Sequence, residues 1–244
     1  NEQRYDLPYW GASYYFYGLA ISPDSSRLLL GLTGGDATGV AALVDLHTGQ
    51  EITQWDAHHE DLLPHSYFHH HGYLRSCGFS SNGRRVITCG NDEETKIWDL
   101  DTIEQVHSFP SAPIADTAFA PDGQYVFIGL ELWRIGEEKP VRVFEPYYEK
   151  VQELAFSPDG LHVAAGTQLE NEFGVALWKI ESGKLIRTYT ADAGLAPIDH
   201  RNNGIYVDFS PDGTILLGGY RDGNVVGWDT QTGAQLFKVQ VETR

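Results

Sequence analysis

The sequence predicts an all-β fold built from at least five four-stranded antiparallel units. Three observations carry this. One hexamer recurs along the chain, as AISPDS at 20–25, GFSSNG at 78–83, AFAPDG at 118–123, AFSPDG at 155–160 and DFSPDG at 208–213. Pro, Asp or Asn, and Gly at adjacent positions are turn formers, and each copy lies between an apolar alternation and an apolar run, the pattern of strand, tight turn, strand. The copies are phased: their pivot residues Ile21, Phe79, Phe119, Phe156 and Phe209 stand 58, 40, 37 and 53 residues apart. Two of these gaps match a repeat of four short strands and two carry insertions. Composition agrees, with 26 Gly, 6 Trp, 13 Tyr and 11 Phe in 244 residues.

Taken in order, the first unit reads FYGLAI, RLLLGL, VAALVDL and EITQW, over about 14–55. The second reads YLRSCGF, RRVITCG, TKIWDL and QVHSF, over about 71–109. The third, about 113–145, contains QYVFIGLELWRIG, in which one strand runs into the next with no visible turn. Antiparallel neighbours need at least two connecting residues. Either this unit is trimmed or residues are missing between Leu130 and Glu131, and missing residues are the expectation. The fourth unit, about 150–190, reads VQELAF, LHVAAG, VALWKI and LIRTYT. The fifth, about 203–240, reads GIYVDF, TILLGG, NVVGWDT and QLFKVQ. Residues 1–13 are a further outer strand or a tail.

A single four-stranded sheet cannot cover both of its apolar faces, whereas sheets stacked radially about an axis can. With KIWDL at 96–100 and VGWDT at 226–230, and ELWRI and ALWKI as weaker copies, the chain resembles the WD40-repeat β-propellers. The resemblance implies WD40-type blades over residues 1–244, and leaves open whether five blades close or belong to a larger ring. It also implies a buried polar network in some blades. In the second blade this network falls on His70, Thr88, Asp92 and Trp98. In the fifth it falls on His200, Asp222 and Trp228, with Gly218 where a hydroxyl would stand. The fourth has Glu172 and Trp178 with Tyr147 at the His position, and the first has Val44 in place of Trp. Such a chain of carboxylate, imidazole, hydroxyl and indole gives each buried polar group a partner. Asp92 with His70 therefore reads as structural rather than as a catalytic dyad.

The formal charge is −17, from 34 Asp+Glu against 17 Lys+Arg. That balance disfavours direct nucleic-acid binding and favours a basic protein segment as partner. No run of 18 apolar residues is present, so membrane insertion by a helix is not expected, and no signal peptide is visible. The chain begins at Asn1 and holds no Met, which reads as a processed or trimmed chain or a fragment; an intracellular setting, cytoplasmic or nuclear, is expected. Cys77 and Cys89 fall in neighbouring strands and read as a reduced buried pair.

In a blade with strands a to d, the d–a and b–c connections leave one side and the a–b and c–d turns the other. The long connections, 56–72, 191–204, 34–39 and 167–174, all fall on the d–a and b–c side. Insertions mark the working side of a repeat protein. Paired aromatics gather there, Tyr14 with Tyr15, Tyr67 with Phe68 and Tyr147 with Tyr148, together with Glu60, Asp61 and Glu149. These are the candidate partner-binding residues. His65, His69 and His71 in the same connection have the makings of a metal site, but without Cys or a known metal motif polar filler is the preferred reading, and no cofactor is expected. No nucleophile elbow, phosphate loop or dinucleotide fingerprint is present. The leading function is a non-enzymatic scaffold that binds a protein or peptide within a larger assembly. The alternative is a hydrolase or lyase with its site at the channel of the ring, where Asp36 and Glu170 are candidates without a defining spacing, or the propeller domain of a larger multidomain enzyme.

Overall fold

The structure is a computed structural model, and it describes residues 15–33, 38–58, 73–111, 116–145, 151–169, 172–190, 205–220 and 223–241. Among the described residues twenty strands form five four-stranded antiparallel sheets, each with its strands side by side in chain order. The first blade holds β1 (Tyr15–Ile21), β2 (Arg27–Thr33), β3 (Gly39–Asp45) and β4 (Glu51–His58). The second holds β5 (Leu74–Phe79), β6 (Arg85–Gly90), β7 (Glu94–Asp99) and β8 (Glu104–Pro110). The third holds β9 (Thr117–Phe119), β10 (Tyr125–Ile128), β11 (Glu131–Arg134) and β12 (Arg142–Val143). The fourth holds β13 (Val151–Phe156), β14 (His162–Leu169), β15 (Glu172–Lys179) and β16 (Lys184–Tyr189). The fifth holds β17 (Ile205–Phe209), β18 (Ile215–Tyr220), β19 (Asn224–Asp229) and β20 (Gln235–Gln240).

The recurring hexamer makes the a–b turn, and its chemistry is local. In the first copy the Ser22 hydroxyl donates to Asp24 Oδ1 at 2.6 Å and accepts the Arg27 N–H at 2.8 Å. Ser157 with Asp159 and Ser210 with Asp212 repeat the arrangement. These bonds favour the ionised carboxylate; the Ser hydroxyl foremost, then the backbone amide and Ser26 or Thr214 hydroxyl, hold Asp24 and Asp212 down at about 2.

The chain divides into two compact units, one of Asn1–Phe119, Gly123–Ile128 and Ile135–Glu138 and one of Ala120–Asp122, Gly129–Arg134 and Lys139–Arg244. In the first, β5 packs on β1 and β2, burying Leu29, Ala41, Leu43, Ala57, Leu74, Val86 and Trp98. Gly31 is required here, because a Cβ on it would run into the Leu74 side chain. The opposite side of the first blade gathers Leu30, Leu32, Val40, Ala42 and Val44, while Leu19 and Ile21 on β1 are exposed. In the second unit β17 packs on β13, β14 and β15. Its core includes Val175, Leu177, Tyr189, Ile205, Val207, Leu216 and Trp228.

The structure bears on the sequence reading at the third blade and at the cysteines, and adds one irregularity common to four blades. The third blade does have a turn between β10 and β11. It is the pair Gly129–Leu130, with Gly129 at φ 58°. The expectation of missing residues at Leu130–Glu131 is therefore corrected: a two-residue connection with a left-handed glycine suffices, and Leu130 is buried with its carbonyl accepting the Phe144 N–H at 2.9 Å. Cys77 and Cys89 are free. Cys77 pairs across the sheet with Thr88, the neighbour of Cys89, so the two thiols point to opposite faces. Burial foremost, then the Asp116 charge, pushes the Cys77 thiol up to about 12. Finally, four outer strands share one irregularity. The pairing of strand c with strand d skips one residue at Ile52, Val106, Ile186 and Leu236. Each is the extra residue of a β-bulge, and each is between 44 % and 51 % exposed.

Candidate functional site

The second blade contains a chain of buried polar groups. Trp98 sits on β7 opposite Val86 of β6, and its indole Nε1–H donates to Thr88 Oγ1 at 2.9 Å. Thr88 Oγ1 lies 2.8 Å from His58 Nε2, and His58 Nδ1 lies 2.8 and 2.9 Å from the two oxygens of Asp92. A carboxylate only accepts and an indole only donates, which fixes the direction of the chain: His58 Nδ1–H donates to Asp92, the indole donates to Thr88, and the Thr88 hydroxyl donates to Nε2. Every proton is then used once. Lys96 closes the far end, its ammonium 3.0 Å from Asp92 Oδ2, 3.0 Å from Glu94 Oε2 and 3.3 Å from the Ala57 carbonyl. Burial alone would raise the Asp92 carboxyl; the hydrogen bond from His58 and the hydrogen bond and charge of Lys96 outweigh it and hold the group below the ordinary carboxylate value.

The imidazole of this chain is a correction to the sequence reading, which placed His70 there. His58 occupies the slot, fully buried at the end of β4. The reason is an insertion. Counting back from Phe79 reaches His70, but the imidazole belongs to the end of the preceding blade's outer strand, and residues 59–72 intervene. The alternation EITQWDAH carries the signal, since β4 runs three residues past Trp55. Lys96 was also passed over, although it stands four residues after Asp92 in KIWDL.

The other blades solve the same problem differently. Trp178 of the fourth blade donates its indole N–H to the Glu145 carbonyl at 3.1 Å. Trp228 of the fifth is buried against Gly218, where a Cβ would come within 2.9 Å of the indole ring, so that position has no room for a hydroxyl. His70, His200 and Asp222 lie outside the described residues, as do His65, His69 and His71, Tyr14, Tyr67, Phe68, Tyr147 and Tyr148, Glu60, Asp61 and Glu149, and Asp36 and Glu170. Tyr15 opens β1, its backbone opposite Thr33.

Among the described residues no group of three or more His, Cys, Asp and Glu has a metal-holding arrangement, and no helix is long and apolar enough to cross a membrane. A cleft of about 550 Å³ lies in the second unit, lined by Val143, Glu145, Ser182, Gly183, Lys184 and Leu185. Its ionisable groups are the exposed Glu145 carboxylate and the exposed Lys184 ammonium.

Comparison with known proteins bears on this architecture directly. The model of the WD domain, G-beta repeat, matches residues 63–99 and 184–229. These spans contain Trp98 and Trp228, each on the third strand of its blade. The chain carries WD40 repeats. Its WD40 blades are similar to those of the Protein LST8 homolog of Drosophila melanogaster, at 27 % identity over 173 residues, covering 68 % of this chain and 54 % of that protein. They are similar to the guanine nucleotide-binding protein subunit beta of Zea mays, at 24 % identity over 180 residues, covering 66 % of this chain and 45 % of that protein. Subunit 5 of the transcription initiation factor TFIID of Caenorhabditis elegans matches at 24 % identity over 169 residues, covering 67 % of this chain and 24 % of that protein. The WD40 chain thus spans about half or less of the length of these relatives.

Proposed function

We propose that the chain is a non-catalytic interaction platform that holds a protein or peptide on the side bearing its d–a and b–c connections. The observation that carries this reading is the contrast between the two sides of the blades. The a–b turns are four-residue copies of one design, Ser with Asp in three blades, Ser80 with Asn82 in the second and Ala120 with Asp122 in the third, closed by the same backbone bond in four blades, Ser25 to Ser22, Gly83 to Ser80, Gly160 to Ser157 and Gly213 to Ser210. The d–a and b–c connections vary in length and carry the paired aromatics and the carboxylates. Variation on one side of a constant scaffold is how repeat proteins acquire partners. The similarity to two proteins whose names call them subunits supports a place in an assembly and an intracellular setting. The acidic residues among the aromatics suit a partner segment rich in Lys or Arg.

The test uses Tyr67→Ala/Phe68→Ala and Tyr147→Ala/Tyr148→Ala, with Arg84→Glu in the a–b turn of the second blade as control. Captured proteins are quantified by mass spectrometry at 50 and 500 mM salt. Both aromatic pairs are expected to lose a shared set of partners without a change in melting temperature, and the control to keep them. Loss in the control alone, or equal capture by all three, would refute the assignment of the side. Capture that is insensitive to salt would remove the electrostatic part.

A further inference from the structure

The a–b turn of the second blade holds an Asn followed by a Gly, Asn82–Gly83, where the other copies carry Asp24, Asp122, Asp159 and Asp212. The Arg84 N–H donates to Asn82 Oδ1 at 3.0 Å, which fixes the orientation of the amide, since only its oxygen accepts. The Ser80 hydroxyl donates to the same oxygen at 2.9 Å; the Arg85 carbonyl, also within its reach, is farther away at 3.1 Å. Two donors therefore converge on one side-chain carbonyl, an arrangement that stabilises negative charge developing on the oxygen. The bond to Arg84 spans Gly83, so the side chain is folded back over the Asn82–Gly83 peptide, which brings Cγ toward the Gly83 nitrogen. Gly83, at φ 66°, puts no Cβ in the way of that approach. Asn82 is exposed, and its Nδ2 has no hydrogen-bond partner among the described residues.

We propose that Asn82–Gly83 is a site of spontaneous deamidation, and that the turn directs the product to Asp, the residue of the sister turns. In the first step hydroxide takes the Gly83 N–H proton, which otherwise donates to the Ser80 carbonyl at 2.8 Å. The nitrogen bonds to Asn82 Cγ, the Cγ–Nδ2 bond breaks, and Nδ2 leaves as ammonia with a proton from water. A cyclic succinimide results. In the second step water adds to one of its two carbonyls. Addition at Cγ breaks the new bond to nitrogen and restores the ordinary peptide as Asp. Addition at the main-chain carbonyl leaves isoaspartate, with the chain running through Cβ and Cγ. Overall an amide and a water become a carboxylic acid and ammonia, with no change of oxidation state. The Ser80 hydroxyl and the Arg84 N–H polarise the Cγ carbonyl and not the other, so they favour the opening toward Asp. The sister turns accommodate that product: Asp212 accepts the Ser210 hydroxyl at 2.6 Å and the Thr214 N–H at 3.0 Å. Isoaspartate would lengthen the backbone inside a tight turn and pull Gly83 away from the Ser80 carbonyl.

The purified chain is aged at mildly alkaline pH, folded and in guanidinium chloride, and digested with trypsin. Chromatography with mass spectrometry then separates the Asn, Asp and isoaspartate forms of peptide 76–84. The folded chain is expected to convert at Asn82 at a rate that climbs with pH, with a ratio of Asp to isoaspartate about tenfold above that of the unfolded chain. Ser80→Ala removes one donor and keeps the other, and is expected to lower that ratio. Asn82→Asp, the product itself, is expected to melt no lower than the wild type. The proposal is overturned if Asn82 stays an amide in the folded chain while the unfolded chain converts, or if the two states give the same ratio. It is equally overturned if Ser80→Ala leaves the ratio unchanged or if Asn82→Asp melts below the wild type. The first two readings use the wild type alone, so they decide the matter even where Ser80→Ala fails to fold.

Discussion

The second and fourth blades place a Trp at the same register, Trp98 opposite Val86 and Trp178 opposite Val163, yet they satisfy its indole N–H by different means. In the second blade the acceptor is a side chain, Thr88, and the bond is the first link of a relay through His58 to Asp92. In the fourth blade the residue at the Thr88 position is Ala165, and the acceptor is the backbone carbonyl of Glu145. A buried N–H costs about 1–3 kcal/mol when it lacks an acceptor, so both solutions meet one demand. They differ in what they depend on. The second blade depends on the identity of four side chains, and the fourth on the path of the chain through residue 145. One is sensitive to point substitution in the network and the other is not.

The largest expected effect follows from this asymmetry. Asp92→Ala removes the acceptor of His58 and leaves the Lys96 ammonium with Glu94 and the Ala57 carbonyl, and should cost about 2–4 kcal/mol in a denaturant melt. A loss below about 0.5 kcal/mol would mean that the relay contributes nothing to stability. The c–d turns sharpen the comparison in the reverse direction. Ile103 at φ 58° closes this turn in the second blade, whereas Gly183 at φ 67° closes it in the fourth, each donating its N–H to the carbonyl four residues back. Gly183→Ile would bring a Cβ within 2.8 Å of Arg142 Cδ and add left-handed strain, for an expected loss of about 2–3 kcal/mol. Ile103→Gly exchanges relief of that strain against lost burial and a more flexible unfolded chain, and should stay within about 1 kcal/mol of wild type. Equal melts for the two substitutions would show that the turns are not equivalent.

A third measurement isolates the relay itself. Thr88→Val and Trp98→Phe, alone and together, should show a coupling of about 1 kcal/mol, and additive losses would remove Thr88 as the acceptor that matters. The smallest expected effect lies in acid. The fourth blade's a–b turn holds Asp159, whose carboxyl is lowered first by the Ser157 hydroxyl and then by the Leu161 N–H; the second blade has Asn82 at that place, accepting from the same Ser and Arg84 N–H positions. A carboxyl lowered in the folded state stabilises above its unfolded value of about 3.9 and loses that contribution as the pH falls further. Asp159→Asn should therefore flatten the acid limb of the stability curve below about pH 4, read by urea melts at stepped pH. An unchanged limb would show that the Ser157 bond does not favour the ionised form.

Legibility in the sequence followed the range of the interactions. The a–b turns were readable because Ser22, Asp24 and Arg27 bond within six residues of one another. Thr88, Asp92 and Trp98 were readable because they lie in one hairpin, at fixed spacing. His58 was not, because its spacing to Thr88 crosses an insertion and its strand belongs to another blade. The Glu145 acceptor could not be read at all, since a backbone carbonyl has no residue type to announce it. The turn at Gly129–Leu130 was missed because a buried Leu in a turn looks like one more strand residue.

The bulges in the outer strands bear on how the protein behaves when crowded. The last strand of a sheet offers a row of unpaired amides and carbonyls to any passing extended chain, and growth of one molecule onto another by this route needs an unbroken, flat run. In four blades the run is broken at Ile52, Val106, Ile186 and Leu236, where the strand bends and the alternation slips by one. In the remaining blade the outer strand is two residues long. A fold made of many small sheets multiplies its edges, and here each fourth-strand edge is either two residues long or broken by a bulge, so growth along those edges should carry this chain toward fibres less readily than its strand content suggests.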